Sequence, residues 1–291
     1  MAAESKTFVS FTKTYHHKPY PYISPTRPEL SAAGKNIVIT GGGTGIGKAI
    51  AIAFAQANAA SVSIIGRRLN RLEEAARDIS AAAASPSVRV VTAQGDLSKR
   101  ESADKAVAEI AGQVGKIDVF VSNAGIFSAP GPVAGYEEEE FRRGWEVNFM
   151  GAFNAVQAFV AHAAPKAKLI NVSSGIAHIA PMYPGVWAYA AVKATIAKML
   201  DFLAAENPDL HVVQIQPGVH ATEMNEGFQD TSDDTLELPG EFTVWLSSPE
   251  AEFLKNRFVW VNWDAEELIA RSKEIENDQS LLKIHLGGVP M

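Results

Sequence analysis

From residue 35 onward, the chain alternates between two hydrophobic patterns. Short runs of apolar and β-branched residues, such as NIVIT at 36–40, are typical of strands buried on both faces of a parallel sheet. In the segments between them, apolar residues recur every three or four positions, as at 46–57, which is typical of amphipathic helices. This alternation predicts an α/β fold: a doubly wound parallel sheet of about seven strands with helices on both faces.

The predicted elements follow one another without an internal linker or repeat. They form a single domain over residues 35–264, and residues 265–291 make a C-terminal extension. We expect strands at 36–40, 62–65, 88–92, 117–122, 168–173, 210–215 and 258–262, and helices at 46–57, 70–84, 100–114, 138–162, 187–205 and 265–277.

Residues 1–34 differ from the rest and are predicted to form an extended arm. They hold four prolines, which disfavour regular helix, and no apolar stretch of the signal-peptide type. The arm packs either on its own domain or on a neighbouring subunit, and the sequence leaves both arrangements open.

Composition narrows the classes of function. The net charge of −7 argues against a nucleic-acid-binding protein, which needs a basic face. The absence of cysteine excludes a disulfide framework, a thiolate metal site and a cysteine nucleophile. No apolar run reaches the roughly 18 residues of a membrane helix. We therefore expect no metal, no nucleic-acid or membrane partner, and a cytoplasmic location.

The most informative motif is TGGGTGIG at 40–47, between the first predicted strand and the first predicted helix. Glycines permit the tight turn and let backbone N–H groups approach a pyrophosphate, and the helix N-terminus adds partial positive charge. The alternative is a glycine-rich turn that binds nothing.

The spacing of this loop resembles the cofactor loop of the short-chain dehydrogenase/reductase family, in its compact, non-extended type. Further motifs of the family occur in its order between residues 35 and 264, and they imply a Rossmann-type fold that binds a nicotinamide cofactor. They are Asp96 after the third strand, SNAG at 122–125, NFMG at 148–151, Ser173–Ser174, YAAVK at 189–193, and Pro217–Gly218 with Thr222.

Tyr189 and Lys193 form a plausible acid–base pair from chemistry alone. Residues at i and i+4 lie on one face of a helix. An ammonium group beside a phenol favours the phenolate and lowers the phenol's pKa, so that the tyrosine can exchange a proton with a carbonyl or alcohol oxygen. The alternative is a half-buried tyrosine beside a lysine that extends to solvent.

The resemblance implies a role for each member of this group. Tyr189 is the general acid in reduction, and Lys193 lowers its pKa and bonds the nicotinamide ribose. A serine holds the carbonyl oxygen, an oxyanion-type role. Asn148 holds a water that links Lys193 to solvent, or is a plain helix asparagine.

The identity of the serine stays open between Ser174 and Ser173. The motif VSS at 172–174 favours Ser174, but the loop up to Tyr189 is longer than the family's usual one, and the usual spacing selects Ile176, which cannot act. His178 in this loop is either an additional acid or, more commonly for a lone loop histidine, structural or solvent-facing.

The end of the second strand favours NADP(H) over NAD(H). Gly66 stands where an acid would bind the 2′-hydroxyl of NAD, and Arg67 and Arg68 follow, which suits a 2′-phosphate. The resemblance places these residues at the coenzyme: Gly41, Thr44, Gly45, Ile46, Gly47, Arg67, Arg68, Asp96, Leu97, Asn123, Gly125, Tyr189, Lys193, Pro217, Gly218 and Thr222.

The substrate is predicted from the segments 175–188 and 219–240, the second of which is expected to form a lid. Their apolar residues suit a medium-sized, largely apolar ketone or secondary alcohol. Alternatively, several of them belong to the core. The candidates are Ile176, Met182, Trp187, Met224, Phe228, Leu236 and Leu238.

The sequence thus predicts an NADP(H)-dependent oxidoreductase that interconverts a ketone and a secondary alcohol. One alternative is a non-redox enzyme on the same scaffold, such as a dehydratase, isomerase or cyclase. Another is an NADP(H)-sensing binding protein, which the complete set of catalytic residues disfavours. By resemblance we expect a homodimer or homotetramer formed through the helices at 138–162 and 187–205, although their alanine-rich faces could equally cover the sheet.

Overall fold

The computed structural model describes residues 10–181, 183–220 and 233–286. Within them, seven strands form one parallel sheet in the order β3-β2-β1-β4-β5-β6-β7, which confirms the predicted fold class. The strands are β1 (Asn36–Thr40), β2 (Ser61–Gly66), β3 (Arg89–Gln94), β4 (Ile117–Ser122), β5 (Ala163–Val172), β6 (His211–Gln216) and β7 (Arg257–Trp260).

Helices cover both faces of the sheet, as expected from right-handed crossovers between parallel strands. Residues of α1, α2 and α7 share one hydrophobic core with the sheet, and residues of α3, α5 and α6 share another. The helices are α1 (Gly45–Gln56), α2 (Leu69–Ala82), α3 (Arg100–Val114), α4 (Glu138–Trp145), α5 (Gly151–His162), α6 (Trp187–Glu206), α7 (Glu237–Ser247), α8 (Ala265–Ala270) and α9 (Ser272–Asn277).

The central strand β1 is largely apolar because both faces of the sheet are covered there. In β1, Ile37 and Ile39 point into one core and Val38 into the other, and all three are fully buried. Alternate residues of a strand face opposite sides, so a strand covered on both faces favours apolar residues at successive positions.

Several predicted boundaries were wrong. The helix expected at 138–162 is interrupted by a π-helical turn, Glu146–Met150. The fifth strand begins at Ala163, and the last helix is divided into α8 and α9. Helix α7 was not predicted, and its first residues occupy the end of the expected lid. Its sequence ELPG contains a proline and a glycine, but proline is tolerated in the first helical turn.

The described part of the N-terminal arm, residues 10–34, packs on its own domain. Tyr15 forms an antiparallel bridge with Trp263, and the His16 N–H donates to the Asn262 carbonyl oxygen at 2.7 Å. Ile23 is fully buried in the first core. The arm contains two short 3-10 helices, Pro21–Ile23 and Pro28–Leu30, in place of a uniformly extended chain.

The segment after residue 264 shares the same core, because Leu268 and Ile275 are fully buried in it. Across the described ranges, none of the helices combines the length and the apolar character needed to cross a lipid bilayer.

Candidate functional site

A cavity of about 420 Å³ opens at the carboxyl edge of the sheet, where β1 lies between β2 and β4 and the strand order reverses. Crevices at such switch points are the usual ligand sites of open parallel sheets. We call it the glycine-loop cavity. It is lined by Gly41, Gly43, Thr44, Gly45, Ile46, Ile65, Gly66, Arg67, Arg68, Arg71, Leu72, Gly95, Asp96, Leu97, Ser98, Asn123, Ala124, Gly125, Val147 and Leu236.

The loop that gives the cavity its shape depends on glycine. Gly41 has φ +67° and Gly45 has φ +53°, both in the left-handed region that glycine tolerates best. A Cβ at Gly47 would lie 2.4 Å from the Gly41 carbonyl oxygen, and one at Gly42 would lie 2.4 Å from Cγ2 of Ile64. Gly47 does not line the cavity; it lets the start of α1 pack against the loop.

Thr40 and Asn123 join the ends of β1 and β4. The Thr40 Oγ1 accepts hydrogen bonds from the N–H groups of Asn123 at 2.9 Å and Ala124 at 3.0 Å. In return, the Asn123 Nδ2 donates to the Thr40 carbonyl oxygen at 3.0 Å. The Asn123 side chain therefore holds the start of the glycine loop in place. Asn123 also lines the cavity.

Three arginines border the cavity, Arg67 and Arg68 at the end of β2 and Arg71 in the first turn of α2. Arg71 was not predicted, because it lies within the helix that follows the end of the strand. The only acid among the lining residues is Asp96, whose Oδ1 accepts from the Ser98 N–H and hydroxyl. This donor set fits a phosphate-bearing dinucleotide: backbone N–H groups at a helix start, guanidinium groups, and little negative charge.

Asn148 lies in the π-helical turn between α4 and α5 and is 1% exposed. Its Oδ1 accepts from the Ile126 N–H at 2.7 Å, and its Nδ2 donates to the Ile126 carbonyl oxygen at 3.0 Å. A Cβ at Gly125 would lie 2.8 Å from that Oδ1. Turns of this kind often occur at functional sites. The turn directs the Asn148 amide toward the loop after β4, in which Gly125 lines the glycine-loop cavity.

Tyr189 and Lys193 share one face of α6, as predicted. The Lys193 Nζ lies 5.6 Å from the centre of the Tyr189 ring and donates to the Val172 carbonyl oxygen at 2.8 Å. In the chain by itself the pKa of Tyr189 is not lowered, and the effect expected of Lys193 stays a prediction. Burial raises the pKa of the Tyr189 phenol and lowers that of Lys193 to about 8, because both charged forms lose hydration.

The two serines at the end of β5 differ in accessibility. Ser173 is 2% exposed, and its hydroxyl has no hydrogen-bond partner among the residues that the structure describes. Ser174 is half-buried and precedes the 3-10 helix Gly175–Ala177, against which α6 packs. Asn148, Ser174, Tyr189 and Lys193 are called the tyrosine–lysine region below.

Gln216, which the sequence did not single out, connects two loops of this edge. Its Oε1 accepts from the Gly175 N–H at 2.6 Å, and its Nε2 donates to the Gly218 carbonyl oxygen at 3.4 Å. Pro217 and Gly218 follow β6 as expected, and Gly218 has φ +90°. A side chain at the last position of β6 thus holds both the loop of Ser174 and the turn of Gly218.

His178 has a structural role in the described chain. The Trp260 indole N–H donates to its Nε2 at 3.1 Å, so Nε2 carries no hydrogen. The residue is largely exposed, but its ring packs edge-on against Phe258 and Trp260, and this burial lowers its pKa.

The predicted substrate residues separate into groups. Ile176 is half-buried beside Gly175, and Trp187 stacks on Phe141 with ring centres 5.5 Å apart. Leu236 lines the glycine-loop cavity, whereas Leu238 is fully buried in the core and was wrongly assigned to the pocket. Met182, Thr222, Met224 and Phe228 lie outside the described residues, as does most of the expected lid.

The glycine-loop cavity holds ten of the predicted coenzyme residues, and its lining ends at Gly125 and Val147, next to Asn148. The whole tyrosine–lysine region, Asn148 included, and Pro217–Gly218 lie outside that lining. In the described ranges, there is no group of three or more metal-binding side chains.

Comparison with known proteins shows the family to which the chain belongs. The family model described as short chain dehydrogenase matches residues 35–233. The short chain dehydrogenase/reductase AacuD of Aspergillus aculeatus is 32% identical over 97% of this chain and 98% of its own length. The short chain dehydrogenase/reductase nsrO of Aspergillus novofumigatus is also 32% identical, over 94% of this chain and 96% of its own length.

Solved structures show the same fold. A short chain dehydrogenase from Burkholderia cenocepacia in complex with NADP superposes with a TM-score of 0.72 at 24% identity, covering 81% of this chain and 99% of that one. A dehydrogenase/reductase from Sinorhizobium meliloti gives 0.73 at 25% identity, covering 84% and 99%. The chain therefore belongs to the short-chain dehydrogenase/reductase family, whose members are oxidoreductases that bind a nicotinamide cofactor.

Proposed function

We propose that this protein is an NADP(H)-dependent oxidoreductase that interconverts a ketone and a secondary alcohol, with Tyr189 as the general acid and base. The observation that carries the proposal is the wall of the glycine-loop cavity at the end of β2. There Gly66 stands in place of an acid, and Arg67, Arg68 and Arg71 border the space. The Burkholderia relative, whose structure is a complex with NADP, supports the same coenzyme.

The coenzyme is held mainly by the first half of the sheet. The backbone of 41–47 and the start of α1 receive the pyrophosphate, and the arginines receive the 2′-phosphate. Asp96, Leu97 and Gly125 line the adenine and ribose side. Pro217 and Gly218 lie at the nicotinamide end. When bound, the coenzyme supplies or accepts the hydride.

Proton transfer belongs to the tyrosine–lysine region. Burial raises the pKa of Tyr189, so the phenol carries its proton at neutral pH. In reduction it donates this proton to the carbonyl oxygen, and in oxidation it takes the proton back from the alcohol. Of the two serines, the more accessible Ser174 is better placed to donate a hydrogen bond to the same oxygen, since Ser173 is buried.

An apolar substrate is supported by the surroundings of the proton donor. The ring of Phe127 lies 4.9 Å from that of Tyr189, centre to centre, and Ile176 is half-buried in the loop that follows Ser174. Apolar walls with a few polar groups are typical of sites for medium-sized organic ligands. We expect ketones with an alkyl or aromatic body to be reduced in preference to small polar sugars.

The coenzyme is tested by titrating the protein with NADPH and NADH while following nicotinamide fluorescence. We expect tighter binding of NADPH, and Arg67→Ala should weaken it about tenfold without changing NADH binding, because one charge-assisted contact is lost. Arg77→Ala, which removes an exposed arginine of α2, is the matched control.

The outcomes separate the alternatives. Preference for NADH would contradict the role of Arg67 and leave the family intact. Product formed from a carbonyl substrate without a net change in nicotinamide absorbance would indicate a non-redox enzyme instead.

We also propose a homo-oligomer that associates through α5 and α6. Val160 on α5 is 39% exposed, and Phe202 on α6 is 61% exposed. Large apolar side chains that are exposed on helices are typical of surfaces that are covered in an assembly.

A further inference from the structure

Asp234 is a buried carboxylate beside the turn that follows β6. Its side chain is 3% exposed, and its Oδ2 accepts from the Val219 N–H at 2.8 Å. A Cβ at Gly218 would lie 2.7 Å from the same oxygen, so the carboxylate packs directly against the turn. The His220 Nε2 contacts the Pro217 carbonyl oxygen at 2.7 Å from the other side. The position of the turn 217–219 therefore depends on where Asp234 lies.

The other carboxylate oxygen of Asp234 is held by segments far away in the sequence. The His17 Nδ1 lies 2.6 Å from Oδ1, and the Asn262 Nδ2 donates to the same atom at 3.1 Å. Because a carboxylate accepts hydrogen bonds, the Nδ1 of His17 carries the hydrogen. His17 belongs to the N-terminal arm, which lies outside the part of the chain that matches the family model.

Hydrogen bonds to main-chain carbonyl groups fix the arm at this point. The Thr235 N–H donates to the His17 carbonyl oxygen at 2.9 Å, and the Asn262 Nδ2 also donates to the His16 carbonyl oxygen at 2.9 Å. The arm, the segment around Asp234 and the loop after β7 are thus joined next to the turn at Gly218.

Burial explains why the arm matters to the turn. A buried carboxylate is costly unless donors compensate for its lost hydration. If the donor from His17 is removed, the cost of keeping Asp234 in place rises, and the carboxylate gains from turning toward water. The Val219 N–H then loses its acceptor, and the turn loses its anchor.

We propose that Asp234 is a positioning residue for the turn 217–219 and that His17 of the N-terminal arm orients it. This rests on the proposed function, in which that turn faces the nicotinamide end of the coenzyme. The N-terminal arm then supports the coenzyme site through the side chain of His17.

The test compares His17→Ala with His16→Ala. His16 bonds Asp264 at 2.8 Å and stacks on Tyr20, so its replacement also weakens the arm but leaves the partners of Asp234 intact. We expect His17→Ala to raise KM for NADPH roughly tenfold, the effect of losing one bond to a charged group, with little change in kcat. His16→Ala should stay within about twofold of the wild type, the range of a change outside the site.

Two further measurements distinguish positioning from general stability. His17→Asn places an amide N–H near the position of Nδ1 and should restore most of the KM. Amide hydrogen exchange at Val219 should accelerate in His17→Ala and not in His16→Ala. Equal KM and equal exchange in the two alanine variants, with similarly lowered Tm, would overturn the proposal. The exchange measurement needs no turnover, so failure of the wild type to use NADPH would count against the proposed function alone.

Discussion

The loop after β1 and the loops after β5 and β6 are held in their conformations by different means. At β1, the chain makes room by lacking side chains: a Cβ at Gly47 would lie 2.4 Å from the Gly41 carbonyl oxygen. At β5 and β6, polar side chains hold the backbone, as Gln216 does for Gly175 and Asp234 does for Val219. A steric requirement tolerates few substitutions, whereas a hydrogen-bonding side chain can be replaced by another with a similar donor or acceptor. The two regions should therefore respond differently to substitution.

The largest effect is expected from Tyr189→Phe, which removes the proton donor and leaves the ring and its packing on Phe127 in place. Turnover should fall by about 10²–10⁴-fold, the usual contribution of a positioned acid. The Kd for NADPH should remain unchanged, because the glycine-loop cavity is intact. Steady-state rates and a fluorescence titration measure the two quantities. An active variant would refute the assignment of Tyr189.

Gly47→Ala tests the steric requirement in the first region. The added methyl group cannot be placed without moving the glycine loop, so we expect a loss of about 1–3 kcal/mol in the free energy of unfolding and weak NADPH binding. The matched control is Gly112→Ala on α3, where a Cβ meets no atom within 4 Å. That control should gain about 0.5–1 kcal/mol from helix propensity. Thermal unfolding of both variants checks the contrast, and equal effects would contradict it.

Gln216 allows the hydrogen-bonding requirement to be tested with two substitutions of similar size. Gln216→Met removes the acceptor for the Gly175 N–H and should lower kcat about tenfold, because the loop of Ser174 loses its support. Gln216→Glu keeps an acceptor and should retain more of the activity. Measured kcat values decide, and a Glu variant no more active than the Met variant would contradict the role of this acceptor.

The smallest effect on the site is expected from Phe202→Glu on the exposed face of α6. A charge there should dissociate the oligomer, because a desolvated carboxylate opposes association. Activity per subunit should change little. Light scattering after size-exclusion chromatography gives the mass. Val133→Glu, at another exposed apolar residue, is the control and should leave the mass unchanged. A monomeric wild type would contradict the proposed assembly.

Most of the residues predicted around the glycine loop line one cavity, and the exceptions have local causes. Arg67 and Arg68 line the cavity because they follow a strand whose end is evident from its apolar run. Arg71 was missed because it lies one helical turn further on. Leu238 was misassigned because an apolar residue near a proline and a glycine looks like part of a loop, yet it lies in the first turn of α7 and is fully buried.

The sequence by itself determined the alternation of strands and helices, the glycine loop and the Tyr189–Lys193 spacing, because each depends on residues that are near neighbours in the chain. The tertiary structure decided what depends on distant segments. It set the direction of the Tyr189 and Lys193 pKa shifts, since burial is a property of the assembled fold. It also joined His17, Asp234 and Asn262, whose hydrogen bonds span more than 200 residues in the case of His17. No local pattern encodes such contacts, because they form only when the sheet brings its last strand beside the arm.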